Sequence, residues 1–236
     1  MSRFSKVLVV VALAVPPALA GCGGGGGGGG DPAAVTGPVT PTTGPNQPLT
    51  VGPVWTLHVD DQGVVYDKNS SVEAYEDIGG PKAGIMGYRV RETIKDSIQL
   101  TWYELTSTDV RRHHDQMLDS NGQLASDEWY DPYLLRLDET PDHLQEGASW
   151  TMTYADTKTT SDKPTETTNK SQNWHVDAVG KAVSVPAGTF AALQVTFTDK
   201  SDGSTKTQWF VQGVGKIKEQ TSAGHTEELT SYQIAQ

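Results

Sequence analysis

Cysteine is almost missing from this chain: among 236 residues there is one, Cys22. A single thiol excludes an internal disulfide, so the folded part must hold together through its core. Long apolar runs are missing as well. The longest, around Val7 to Val15, falls short of the roughly 20 residues of a helical membrane span, and Pro16-Pro17 closes it. Basic residues are scarce, with 18 Lys and Arg against 29 Asp and Glu and a formal charge of −11. Phosphate backbones are bound by clustered cations, so this balance argues against nucleic acid as a partner, and it disfavours an anionic lipid surface. No window of ten residues repeats at helical period between caps, and no G-x-S-x-G nucleophile elbow occurs. Gly213-Val214-Gly215-Lys216 is not a phosphate loop, because Ile217 and a strand pattern follow where Ser or Thr and a helix are required.

What the chain does have is alternation. Ile98, Leu100 and Trp102 share one face against Gln99 and Thr101, and Trp150, Met152 and Tyr154 do the same against Thr151 and Thr153. Leu193, Val195 and Phe197 alternate with Gln194, Thr196 and Thr198, and Trp209 and Val211 continue the pattern. Turn residues punctuate these runs: Pro186 to Gly188, and Asp202-Gly203, a strong hairpin signal. Gly213 and Gly215 bracket Val214 and read as a corner in a curved sheet. Strands are expected at 55–59, 63–67, 85–92, 97–105, 109–118, 128–137, 149–155 and 173–179 and through the C-terminal third, with one short helix at Thr140 to Gln145 (Thr140 as N-cap, Pro141 at N1). The polar run 156–171 reads as a long exposed hairpin end. The fold class is all-β, a single curved antiparallel sheet forming an open half-barrel, with a closed lipocalin-like barrel or a β-sandwich as alternatives.

The N-terminus has the outline of a secretory signal, with Arg3 and Lys6 ahead of an apolar stretch and small residues before Cys22. Its ending, Leu19-Ala20-Gly21-Cys22, resembles the lipobox of bacterial lipoproteins. That resemblance implies cleavage after Gly21 and acylation of the Cys22 thiol, by chains such as palmitate. Losing Arg3 and Lys6 with the signal takes the formal charge from −11 to −13. Several acyl chains, each methylene worth about 0.8 kcal/mol, would anchor the protein stably. Gly23 rather than aspartate after the cysteine favours the outer membrane by resemblance to lipoprotein sorting rules. Eight glycines follow, Gly23 to Gly30, and then a stretch rich in Pro, Thr and Gly. Such composition buries little surface and reads as a disordered tether. The expected organisation is thus a signal over 1–21, a lipidated cysteine and tether over 22–53, and one β-rich domain over 54–236.

A second resemblance lies in the last third. VSVPAGTF, followed by WFVQGVGKIK and a strand ending EELTSY, resembles the C-terminal signature of a broad group of uncharacterised bacterial envelope lipoproteins, and DPYLLRLDETPDHLQEGASWTMTY fits the same group. The resemblance spans about Pro132 to Tyr232 and implies an open, curved sheet similar to the half-barrels of lipoprotein carriers. It brings no catalytic residues.

Three constellations are candidates for chemistry. His58, Asp60, Asp61 and Asp67 fall on adjacent strands, although acids at Asp60-Asp61-Gln62-Gly63 are what a turn requires. Arg111-Arg112-His113-His114-Asp115 is dense, but neighbouring strand residues face opposite ways, so the two histidines share a metal only across a bulge. Trp102, Trp129, Tyr133, Trp150 and Trp209 are candidate linings of an apolar pocket on a concave sheet, against the plainer role of filling the core. The functional expectation is a lipid-anchored envelope protein that binds an apolar ligand or an envelope protein without catalysis, with no cofactor, no metal and no nucleic acid. The alternative is an exported hydrolase using the Asp/His cluster.

Overall fold

The structure is a computed structural model and describes residues 44–234. Twelve antiparallel strands follow one another around a closed barrel: β1 (Val54–Asp61), β2 (Val64–Asp77), β3 (Met86–Ile94), β4 (Ser97–Leu105), β5 (Asp109–Leu118), β6 (Leu124–Asp138), β7 (Ser149–Thr160), β8 (Lys163–Val185), β9 (Gly188–Asp199), β10 (Thr205–Val211), β11 (Gly215–Thr221) and β12 (His225–Gln233). Each pairs with the next, and β1 also pairs with β12, so the all-β barrel takes the closed form rather than the half-barrel. Closure leaves no sheet edge at β1 or β12 for another chain to extend.

Local chemistry explains the elements. Gln62 and Gly63 both adopt positive φ, 55° and 89°, and the Gly63 N–H donates to Asp60 Oδ1 at 2.7 Å. The acids at this turn are therefore turn formers. Gly213 and Gly215, at φ 70° and 102°, make the hairpin between β10 and β11 rather than a corner within one strand. The expected helix at Thr140 to Gln145 shrinks to a 3-10 turn, Pro141–His143, because the Thr140 hydroxyl donates to Asp138 at 2.8 Å and caps nothing. The polar run 156–171 is the exposed hairpin tip of β7 and β8, as its composition predicts. The signal, Cys22 and most of the tether lie outside the described residues.

One boundary moves. Residues 44–53 were expected to be tether, yet Leu49 is 2% exposed and Asn46 is buried, the Gly52 N–H donates to Val72 O, and the Gly213 N–H donates to Pro45 O. The physical reason is Leu49, a large apolar residue that joins the buried core with Trp55 and Val214. This segment corks one end of the barrel, where the β10–β11 turn also packs through Trp55 Nε1 to Val214 O at 2.6 Å.

The lumen has two halves. Next to the cork it is apolar, built from Trp55, Leu57, Val72, Val90, Phe210 and Leu229. Toward the turns that follow β1, β3, β9 and β11 it is charged. Each buried methylene in the first half contributes about 0.8 kcal/mol, so the cork end carries most of the packing energy.

Candidate functional site

The charged half encloses a cavity of about 210 Å³ lined by Tyr66, Lys68, Glu92, Gln99, Thr101, Tyr103, Arg112, Arg136, Lys206, Lys216, Glu219, His225 and Glu227, with Ile94 at its rim. Eight strands contribute, each through residues on its inward face. Side-chain exposure grades from Lys206 at 38% to Lys68, Glu219 and Glu227 at 6%. The cavity therefore opens at the turn end and deepens toward the apolar core. A pocket of about 40 Å³, shared by Glu92, Tyr103, Arg136 and Lys216, lies beneath it and reaches Gln47 of the cork.

Inside, most charges are already matched. Lys216 Nζ bridges Glu219 Oε2 at 2.7 Å and Glu227 Oε2 at 2.6 Å, Lys68 Nζ reaches Glu227 Oε1 at 2.5 Å and Glu92 at 3.6 Å, and Lys206 reaches Glu219 at 3.0 Å. Arg112 holds Asp115, which also accepts from the Tyr130 hydroxyl at 2.8 Å. Burial alone would raise the carboxyls of Glu219 and Glu227. The lysines outweigh it, Lys216 first, and hold both below the usual range. Lys68 is the mirror case, since burial would lower it and Glu92 and Glu227 hold it above its ordinary value. His225 is raised, chiefly by its hydrogen bond to Glu227.

The ligand atoms of Glu219, His225 and Glu227 lie within 4.8 Å of one another, close enough to hold a cation. Lys216 already places its ammonium between the two carboxylates, and Lys68 and Lys206 satisfy their outer oxygens. A divalent ion would meet three lysines, so the trio reads as an internal salt-bridge network.

The histidine pair has a different fate. A bulge between Arg112 and His114 re-aims the chain, and His114 joins the outward row Trp102, His114, Trp129, with ring centroids 4.5 and 3.6 Å apart. His114 Nε2 lies 2.8 Å from Asp127, and His113 Nε2 lies 3.0 Å from Glu104, so each histidine has its own carboxylate and they share no site. Burial lowers both, against the pull of those carboxylates. The 3-10 turn Gly80–Lys82 lies over this row: a Cβ at Gly80 would sit 2.8 Å from the Trp129 ring, and Lys82 is clamped to Asp131 at 2.8 Å.

The five candidate aromatics consequently line no common pocket. Trp102 sits between Thr101 and Tyr103, which face the lumen, so it faces out, as does Trp129 in the same row. Tyr133 is outward beneath Arg111, whose guanidinium lies 4.6 Å from its ring. Trp209 faces away from the lumen, because its neighbour Gln208 donates to Glu219, and Lys218 lies over it. Trp150 alone turns inward, in the row Trp150, Trp174, Phe197, with Lys206 register-paired to Phe197. It is packed between His143 and Trp174, at 4.0 and 5.8 Å. A period of two says that residues share a face, not which face closes around a lumen.

For the hydrolase alternative, His58 and Asp67 meet at 3.1 Å on the exposed outer surface. Ser149 Oγ lies 2.8 Å from His175 Nδ1, and Asp177 lies 3.8 Å from the other ring nitrogen. Ser149 and His175 are register-paired on the outer face of the sheet, and with Asp177 they line an open recess beside Trp150, Asn173 and Thr196. The lumen network has no signature in the sequence, where Lys68, Lys216, Glu219 and Glu227 each resemble a solvated strand residue. Comparison with protein-family models, with curated proteins and with solved structures finds no match for this chain.

Proposed function

We propose that this chain is a lipid-anchored protein of the bacterial cell envelope, carried on Cys22 and its tether, whose barrel binds a small polar ligand at its open, charged end without catalysis. The observation behind it is the cavity itself: about 210 Å³, reachable from solvent, with its lysines and glutamates paired among themselves. Buried charge of this kind costs stability, and a purely structural barrel would fill the same space more favourably with apolar side chains. The expected apolar ligand gives way to a polar one because the apolar lumen is filled and the open lumen is charged. The outer face of β7 and β8 carries Thr151, Thr153, Asn169, Ser171 and Asn173 rather than the apolar band of a membrane-spanning barrel, which leaves the anchor as the attachment.

Two measurements test this reading. Full-length chain expressed in a bacterial host should sediment with membranes, and Cys22→Ala should move it to the soluble fraction. Native mass spectrometry of residues 31–236, exported without the anchor, should show a retained small-molecule mass. An unacylated chain, or a barrel that takes up no small solute, would overturn the corresponding half of the proposal.

A further inference from the structure

Among the described residues, the charged lumen contains one cation that its own carboxylates leave over. The three lysines are covered by Glu92, Glu219 and Glu227, and Arg112 by Asp115. Arg136 lines both the main cavity and the pocket beneath it and makes no ion pair with any described carboxylate. It lies over the face of Phe210, whose centroid is 5.2 Å from the guanidinium carbon. The backbone explains how it comes to point there. Val110 pairs with Leu137 and Arg111 with Leu135, so Arg136 is the extra residue of a β-bulge, and bulges re-aim side chains in this way.

Arg136 is half-buried, so water covers part of its guanidinium, and an anion that displaces that water gains a charge-assisted pair. Its planar fork of N–H donors matches a carboxylate or phosphate in bidentate fashion, which a lysine cannot reproduce. Around it the lumen offers Lys216, the Tyr103 hydroxyl, the Gln99 amide and the Thr101 hydroxyl, groups able to donate to the remaining oxygens. A cation would add to the leftover charge, and a neutral solute would leave Arg136 unmatched. Resting on the proposal that the barrel binds a small polar ligand, we propose that this ligand is a small oxyanion, a carboxylate or a phosphate, held by Arg136 at the floor of the open half. The preference arises locally, against a net formal charge of −11 over the whole chain.

The test is calorimetric titration of the exported chain at low ionic strength with sodium acetate, inorganic phosphate, glucose and choline as probes. Acetate or phosphate should bind and raise the melting temperature, glucose and choline should not, and added salt should weaken the effect. Arg136→Gln should cut the affinity roughly tenfold or more. Arg136→Lys should recover only part of it, because it restores the charge without the fork. Circular dichroism of both variants should show the parent barrel, separating loss of the site from loss of the fold. If acetate and phosphate bind but Arg136→Gln leaves their affinity unchanged, the assignment to Arg136 is wrong. Binding of glucose or choline in preference to the anions would overturn the oxyanion and leave the binding barrel standing. Failure of all four probes to bind would overturn both.

Discussion

On β12, Leu229 and Glu227 face the same lumen two residues apart, about 7 Å along the strand. Leu229 is fully buried in the apolar half, whereas Glu227 is tied to Lys68 and Lys216 in the charged half. The same contrast recurs on β3 between Val90 and Glu92 and on β10 between Phe210 and Lys206. Strand geometry fixes which side chains point inward, and the residue type at each inward position then decides whether the lumen there is core or cavity. One half is built for stability, and the other, where we propose the ligand binds, holds buried charge at a cost in stability.

Cutting the charged half should have the largest effect. Glu227→Ala leaves Lys68 and shared Lys216 short of a buried counter-charge, and should cost about 3–5 kcal/mol in urea unfolding. In the apolar half, Leu229→Ala opens a cavity and should cost about 3 kcal/mol by the same assay, with ligand uptake retained. The two losses differ in their pH dependence. Glu219 and Glu227 titrate below their unfolded values, so the stability they add is complete above the unfolded carboxyl range near pH 4.5 and disappears as pH falls through their lowered values. Leu229→Ala should keep that acid slope between about pH 5 and pH 2, and Glu227→Ala should flatten it.

Much of the fold was legible because many inward residues are apolar. Ser97–Leu105 and Asp109–Leu118 fall where alternation puts them. The first half of β2 was cut short at Asp67 because its inward residues, Tyr66, Lys68 and Ser70, line or flank the charged half and present no apolar period. For the same reason the site itself was not legible: a lysine facing a lumen and a lysine facing water look alike in one sequence. The aromatics misled in the opposite direction. Trp102 and Trp129 face out, and the turn that covers Trp129 depends on Gly80 at φ 50°, which periodicity does not register.

The smallest expected effect belongs to Asp156, near the mouth-side end of β7. Burial, and then the neighbouring Glu128, push its carboxyl up to about 6. A raised acid is best tolerated protonated, so its penalty is absent below about pH 4 and complete above the folded value near 6. Asp156→Asn should stabilise the barrel at pH 8 by up to about 1 kcal/mol after allowance for solvent screening, with the gain fading below pH 6. Thermal melts at the two pH values check it.

Access of small anions to the charged half can be measured directly, because Cys22 is the chain's one thiol and a single reporter can be placed there. In a Cys22→Ala background, Gln99→Cys puts a thiol on the cavity wall, and its rates of modification by methanethiosulfonates of opposite charge can be compared. Labelling should be rapid and faster for the anionic reagent, with the difference reduced by Arg136→Gln. A thiol that resists both reagents, or that reacts faster with the cationic one, would contradict the proposed anion site.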